Sequence, residues 1–449
     1  MGAFKAYDIR GIYNVDFNKE DAYKIGFFLP ALLNTDKILV GRDVRVSSPE
    51  IFQYLTNGIN DAGADVYDLG LATTPYVYWV TAKFGFNASV QITASHNAKQ
   101  YNGMKISRSN AFPVGYDSGL DVLEQKIRTE NTVPVSDKGK IHAFDKQSEY
   151  ISFLKTFVPD ISKLTISLDC SNGMVSLFIK QLLGEQPSYI FFDLDGTFPN
   201  HEANPLVAEN LIALKEHVIR NRSDVGIIFD GDADRVMFLD ENARFISPDL
   251  IIAVLAHYFS DKGYKNAEVL QDIRSSKAIG EYIARFNYNI NTWRVGRAFA
   301  APKLKEINGL FGGEYAGHYY FKDFFYSDSG ILACLMVLDV LVKMKQKGIS
   351  FSELIRNISP YFSSGEINMV VEQKQQAMDA LLHYFTSEEK PVSFYDFDGY
   401  RADFRHWWFN VRPSNTEPYL RFIAEADDEN LLQDIIAKMN TVLKPFLNT

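Results

Sequence analysis

Twice in this chain a Ser-Pro pair stands between a strand-like run and an apolar helical stretch, and the alternation around these pairs limits the first 360 or so residues to α/β layering. After IleLeuVal at 38–40 comes GlyArgAspValArgValSer, and then Ser48-Pro49. Ser48 is expected to cap the helix and Pro49 to sit in its first turn, with Ile51, Phe52, Leu55 and Ile59 on one apolar stripe. A strand ending near Gly70 completes a β-α-β unit, and a second helix over 75–84 leads into a strand at 87–92. Ser95 therefore falls at the carboxyl end of a strand, where open α/β sheets place ligands. The segment 118–150 reads as charged and strand-poor.

The same grammar recurs at 164–169, a strand that turns at Ser171-Asn172-Gly173 into a helix carrying Leu177, Leu182 and Leu183. Strands at 190–192 and 225–229 flank a helix ending near Arg222. Ser247-Pro248 then opens a third unit as cap and first-turn proline, and this unit runs through strands at 268–271 and near 288 to a helix after Asp328-Ser329. Beyond about Pro360 the strands at 366–371, 407–412 and 420–426 dominate, with helices over 374–386 and up to Leu443. That pattern predicts a separate α+β domain with an antiparallel sheet. The expected domains are 1–146, 147–246, 247–360 and 361–449.

Composition narrows the function classes. A hydrophobic fraction of 46% with 23% charged residues is that of a globular protein. The net charge of −10 supplies no basic excess for nucleic acid or anionic membranes. Cys170 and Cys334 are too far apart in sequence to suggest a disulfide framework or a thiolate metal site. The N-terminus lacks the apolar run of a signal peptide and no stretch approaches a membrane span, so a cytoplasmic location is expected.

Four loops carry candidate chemistry. In IleThrAlaSerHisAsn and the residues after it, Ser95 has His96, Asn97 and Lys105 close by, the company of a nucleophile or phosphoryl carrier, although an ordinary loop serine has a similar look. Asp230, Asp232 and Asp234 alternate in AspGlyAspAlaAspArg directly after the 225–229 strand. Carboxylates about 4 Å apart repel by roughly 4 kcal/mol at an effective dielectric near 20, so a cation is expected among them, and oxygen-only ligation favours Mg²⁺ or Ca²⁺. An EF-hand is excluded because Arg235 stands where its sharp turn needs glycine and the flanks are strands. GlyGlyGluTyrAlaGlyHis offers Glu314 as an acceptor for sugar hydroxyls and His318 as a proton donor. ArgProSerAsnThrGluProTyrLeuArg, 412–421, presents two guanidiniums, hydroxyls and an amide around a turn, a suitable set for a phosphate dianion. Tyr7, Asp8 and Arg10 add polar groups, while Arg42 and Arg45 read by default as salt-bridged surface residues.

Together these motifs resemble the α-D-phosphohexomutase family, most closely its bacterial phosphomannomutase/phosphoglucomutase branch. ThrAlaSerHisAsn is similar to the family's phosphoserine loop, AspGlyAspAlaAspArg to its metal loop, GlyGluTyrAlaGlyHis to its sugar loop and ArgProSerAsnThrGluProTyrLeuArg to its phosphate loop, in the family's order. The resemblance implies three α/β domains with mixed sheets and a C-terminal α+β domain around a central cleft. It implies interconversion of hexose 1- and 6-phosphates, of mannose or glucose, through a phosphoserine and a hexose 1,6-bisphosphate. Ser95 would carry the phosphoryl group and join Asp230, Asp232 and Asp234 around Mg²⁺, with glucose 1,6-bisphosphate as activator. Lys105, Arg10 and His318 would serve acid/base and charge-stabilising roles, with His96 shaping the serine loop. Tyr7, Arg235, Arg274, Arg297, Glu314, Tyr315 and His318 would face the substrate, and Arg412, Ser414, Asn415, Thr416 and Arg421 would hold the non-reacting phosphate. The partners implied are phosphosugars, for a monomer or weak dimer. The chain departs from the family at Ala98, where Pro is frequent, at Arg297, where an imidazole is frequent, and at Tyr315, a position that tracks substrate choice. A glucosamine-phosphate mutase and a Mg²⁺-dependent phosphosugar phosphatase are the alternatives.

Overall fold

A computed structural model describes residues 2–414 and 419–447. Its strands form four sheets, three mixed and the last antiparallel. In the first, Lys37–Arg42 runs parallel to both Asp65–Leu71 and Ala88–Ile92, and Tyr101–Arg108 turns back antiparallel to Ala88–Ile92. In the second, Ile166–Asp169 lies parallel to Val225–Phe229, and Val236–Leu239 turns back against the latter. In the third, Glu268–Asp272 lies parallel to Phe311–Gly313, and Tyr319–Phe321 turns back against it. Each unit thus follows its parallel ladder with an antiparallel hairpin. The fourth sheet contains the long hairpin Trp407–Pro413 with Tyr419–Ala426.

This construction positions the chemistry. Ser95 lies between Ala88–Ile92 and Tyr101–Arg108, the aspartate triplet between Val225–Phe229 and Val236–Leu239, Glu314 between Phe311–Gly313 and Tyr319–Phe321, and Ser414 between the two strands of the last hairpin. All four motifs stand between the two strands of an antiparallel pair. Lys105 pairs with Gln91 across the first hairpin, which brings its ammonium back beside the serine loop.

Packing divides the molecule unevenly. One apolar cluster runs from Tyr76 and Trp79 through Leu168 and Phe229 to Leu255 and Leu338, joining all three α/β units. Helix Leu250–Asp261 buries every residue from Leu250 to Ala256, as an all-round apolar helix must. The fourth sheet has a core of its own, with Phe409 and Phe422 beneath Leu432 and Met439.

Several local expectations are corrected. Helix Ser48–Asp61 has Ser47 at its N-cap, and the Ser48 hydroxyl donates to Asp43 at 2.6 Å instead of capping. The third unit's helix starts at Leu250, because Asp249 accepts the Ser276 backbone N–H at 2.7 Å and the Ser247 hydroxyl rather than closing a cap. The strand expected at 190–192 is Ser188–Ile190, since Phe191 turns into the left-handed region at φ 50°. The 118–150 segment contributes helix Leu120–Thr129 and the edge strand Ile141–Ala143.

Candidate active site

Ser95 sits at the first hairpin's loop with φ 51°, a left-handed conformation that costs a residue with a Cβ ~1 kcal/mol and is held by its surroundings. Its N–H donates to Thr93 Oγ1 at 2.9 Å. Behind it lies Arg45, fully buried, whose guanidinium donates to the carbonyls of Ser95 (2.9 Å), Asn97 (2.6 Å), Ala98 (2.9 Å) and Tyr101 (3.0 Å) and to Asp43 (3.1 Å). Arg45 is therefore no surface residue: it gathers the carbonyls of a loop that carries Ala98 in place of a stiffening proline. Arg42, in contrast, is partly exposed and pairs with Asp68 at 2.7 Å, as expected.

The metal-loop hairpin closes on the serine loop. A Cβ on Gly231 would stand 2.6 Å from the Ser95 carbonyl, so only glycine allows the approach. The Ser95 hydroxyl donates to Asp230 Oδ2 at 2.6 Å, and Thr74, which the sequence reading did not single out, donates to Asp232 Oδ2 at 2.5 Å. Asp230, Asp232 and Asp234 are all buried, with ligand atoms within 4.8 Å of one another. Asp232 Oδ1 and Asp234 Oδ1 accept no hydrogen bond from the described residues. Buried carboxylate oxygens left open beside a serine hydroxyl fit a hard divalent cation. Burial, then Asp234 and Asp232, pushes Asp230 well above the usual carboxylate range. Burial would raise Asp234 too, but Lys105 and His318 hold it low.

Cations ring this centre. Lys105 Nζ donates to Asp232 at 2.7 Å and also to Asp234. Burial disfavours its charge, but Asp232 and Asp234 outweigh that and raise its pKa, so it is an ammonium. Arg10 reaches Asn97 Oδ1 at 2.8 Å and pairs with Asp8. Arg235 Nε lies 3.8 Å from Asp230 and 3.9 Å from Asp234. His96 Nδ1 is 3.3 Å from the Ser95 hydroxyl, and burial followed by Arg235, Arg10 and Lys105 drives its pKa far below the ordinary value, so the ring is neutral. His318 Nδ1 bonds Asp328 Oδ2 at 2.6 Å. Asp234, His318 and Asp328 also have metal-compatible spacing, but that short bond makes His318 and Asp328 a hydrogen-bonded dyad.

In the third unit, Glu314 is buried and accepts the Tyr320 hydroxyl at 2.7 Å and the Gly296 N–H at 3.1 Å. Gly296 takes φ 111° and would clash with the Tyr7 ring at 2.7 Å if it had a Cβ, and the Tyr7 hydroxyl donates to the Val295 carbonyl at 3.0 Å. Arg297, expected to face the substrate, bonds Asp328 at 3.0 Å and the Ala111 carbonyl, and stacks 3.7 Å from the Tyr78 ring centroid. It braces the third unit against the first. Tyr315 donates its N–H to Asp272 at 2.8 Å, and its ring lies 5.5 Å from the Arg274 guanidinium. Arg412 and Arg421 are direct cross-strand partners, so both side chains leave the same sheet face. Ser414 N–H donates to the Tyr419 carbonyl at 2.9 Å, and Asn415 and Thr416 lie outside the described residues.

Family models for phosphoglucomutase/phosphomannomutase match in four parts: α/β/α domain I at residues 1–133, domain II at 148–243, domain III at 247–361 and the C-terminal domain at 366–442. The chain belongs to the phosphoglucomutase/phosphomannomutase family. A phosphomannomutase of Vibrio cholerae is 33% identical over 99% of this chain and 98% of its own length, and one of Escherichia coli K12 is 32% identical over 99% and 98%. The crystal structure of a phosphoglucomutase/phosphomannomutase family protein from Burkholderia thailandensis superposes with a TM-score of 0.86 at 25% identity, covering 100% of this chain and 98% of that one. The protein is accordingly a phosphohexomutase, an isomerase that moves a phosphoryl group within a sugar phosphate.

Proposed function

We propose that this phosphohexomutase interconverts the 1- and 6-phosphates of glucose or mannose, with Ser95 as the phosphoryl carrier. The observation that carries the reading is the Ser95 hydroxyl held at 2.6 Å from Asp230 by two loops of different sheets, beside buried carboxylate oxygens with no donor among the described residues. Asp230, Asp232, Asp234 and the oxygen on Ser95 would hold Mg²⁺. The ion, when bound, supplies Lewis-acid stabilisation of charge on the transferring phosphoryl group.

The chain's own residues do the rest. In the forward half-reaction the bond between phosphorus and Ser95 Oγ breaks as a bond to the free hexose hydroxyl forms. The hydroxyl's proton leaves to a base and Ser95 Oγ, the leaving group, takes up a proton; in the second half-reaction Ser95 Oγ gives up that proton as it bonds the other phosphorus, and the sugar oxygen released there is protonated. Lys105 and Arg10 are cations that offset the developing charge. Asp328 occupies Nδ1 of His318 and leaves Nε2 for proton exchange. Glu314 would read the sugar hydroxyls, while Arg412, Ser414 and Arg421, with Asn415 and Thr416, would anchor the phosphate that is not reacting; Arg274, expected only to face the substrate, shares Glu366 with Arg421 and would join them. A hexose 1,6-bisphosphate turns end for end between the half-reactions and serves in trace amounts as activator. Domain boundaries near 146, 246 and 360, a monomer or weak dimer, and a cytoplasmic location complete the proposal; among the described residues no helix is long and apolar enough to cross a membrane.

Coupled assays with each hexose 1-phosphate, Mg²⁺ and trace glucose 1,6-bisphosphate test the reading. Ser95→Ala is expected to abolish 6-phosphate formation while calorimetry still detects phosphosugar binding. Normal turnover in that variant sinks the assignment, and inorganic phosphate without a 6-phosphate product replaces mutase by phosphatase.

A further inference from the structure

The guanidiniums of Arg274, Arg412 and Arg421 each meet a carboxylate, but the contacts differ in kind. Arg274 grips Asp272 through Nη2 at 2.7 Å, and Asp272 is fixed in turn by the N–H groups of Arg274 (2.7 Å) and Tyr315 (2.8 Å). Arg412 Nε reaches Asp398 Oδ1 at 3.2 Å, and Asp398 Oδ2 accepts the Val295 N–H at 2.8 Å. Backbone donors hold both of these carboxylates in place. Glu366 is bound differently: Oε1 lies 3.2 Å from Arg421 Nη1 and Oε2 3.5 Å from Arg274 Nη1. Charge-assisted contacts usually close to about 2.7–2.9 Å, so Glu366 is loosely seated, and its side chain is 17% exposed. It immediately precedes strand Ile367–Val370, whose Asn368 pairs with Arg421, whereas Arg274 follows the end of a third-sheet strand. One carboxylate thus joins guanidiniums from two sheets.

Two oxygens of one anion spanning two guanidiniums is the arrangement a phosphate would make. We infer that Glu366 is an internal phosphate surrogate, holding the anion position between Arg274 and Arg421 until the non-reacting phosphate of a phosphosugar displaces it, and so limiting how tightly that phosphate binds. The inference rests on the assignment of Arg274 and Arg421 to that phosphate above. In the ligand-free protein Glu366 keeps the two guanidiniums paired and links the third sheet to the fourth. An arriving dianion meets a like charge, and the carboxylate swings toward solvent. A limit on affinity at this end suits a reaction whose intermediate must release its distal phosphate to turn round. Binding substrate and transition state alike more tightly gains no turnover.

Titration of the full-length protein with inorganic phosphate, by calorimetry, tests this directly. Glu366→Gln keeps the shape and removes the charge, and is expected to tighten the Kd for phosphate about tenfold. With glucose 1-phosphate the same variant is expected to lower KM and to lower kcat about threefold, because release of the distal phosphate slows. Glu366→Ala provides a second variant and is expected to bind phosphate at least as tightly as the native protein. Unchanged or weaker phosphate binding in both variants overturns the inference and leaves Glu366 as an interdomain brace. Native protein without mutase turnover would defeat the proposed function while the phosphate titration still decided the role of Glu366. Native turnover with unshifted phosphate affinity would defeat only the surrogate.

Discussion

The region around Ser95 and the region around Arg412 and Arg421, proposed to hold the non-reacting phosphate, are built in opposite ways. Around Ser95 the candidate catalytic groups are buried and the loops are locked by Arg45, Thr74 and Gly231, between the first unit's own apolar cluster and a second cluster that joins all three α/β units. Arg412 and Arg421 instead project from a sheet with its own core, which meets the third unit through polar contacts beside the Trp293–Phe397 ring pair. Arg401 donates to the Ile273 and Ser275 carbonyls at 2.8 and 2.6 Å, Asp398 takes the Val295 N–H, and Glu366 spans two guanidiniums. Phosphoryl transfer depends on reacting atoms held within fractions of an ångström, which a shared core provides. Anchoring either phosphate of a reversing intermediate calls for an element that adjusts, and polar contacts can exchange one by one without baring apolar surface.

Breaking the fixed end should have the largest effects. Asp232→Asn, or stripping divalent cations with a chelator, is expected to lower kcat by about 10³-fold or more in the coupled assay, with readdition of Mg²⁺ restoring only the native protein. Next comes Arg45→Met, which leaves four loop carbonyls and Asp43 without their donor. It should lower the stability measured by denaturant titration by roughly 3 kcal/mol and reduce phosphorylation of Ser95 even under conditions where the variant is folded. Near-native phosphoserine formation, read by intact-protein mass spectrometry, would show that the loop shapes itself without the guanidinium.

At the adjustable end the effects should be smaller and of another kind. Arg421→Ala is expected to raise KM about 10- to 50-fold while kcat falls less, because it removes anchoring and leaves the reacting atoms in place. An equal loss in both parameters would mean that the two ends are not separable. The smallest effect concerns Glu425, buried on the fourth sheet and bonded by Trp408 Nε1 at 2.8 Å. Burial, with Asp249 adding to it, pushes its carboxyl up to about 7 from an ordinary 4.5. A folded-state pKa above the unfolded value means that the favourable contribution is complete below 4.5 and is lost as pH rises through about 7. Glu425→Gln should therefore raise the melting temperature by roughly 4 °C at pH 8 and by much less near pH 4.5. A shift of the same size at both pH values would point to packing instead of charge.

Much of this was legible in the chain. Strand-turn-helix alternation gave the layering, and the aspartate triplet, Ser95, Glu314 and the 412–421 loop named the chemistry, because residue type alone limits what such groups can bind. Arg45 was visible only as a charged residue in a loop, and nothing local distinguishes an arginine that faces water from one that gathers four distant carbonyls. Arg297 shows the same limit: its guanidinium suits a sugar or phosphate, and nothing local shows that Asp328, Ala111 and Tyr78, remote in sequence, also hold it. Ser48 carried a cap residue's chemistry, but the nearby Asp43 took its hydroxyl.

The sequence by itself determined the inventory, four polar loops at strand ends in a fixed order, since periodicity and side-chain chemistry are local properties. Only the tertiary structure decided that the strands flanking these loops pair antiparallel, that Ser95 meets Asp230 across two sheets, and that Glu366 stands between two arginines. Those are pairings over long sequence separations, set by which faces the sheets bury, and no local pattern encodes them.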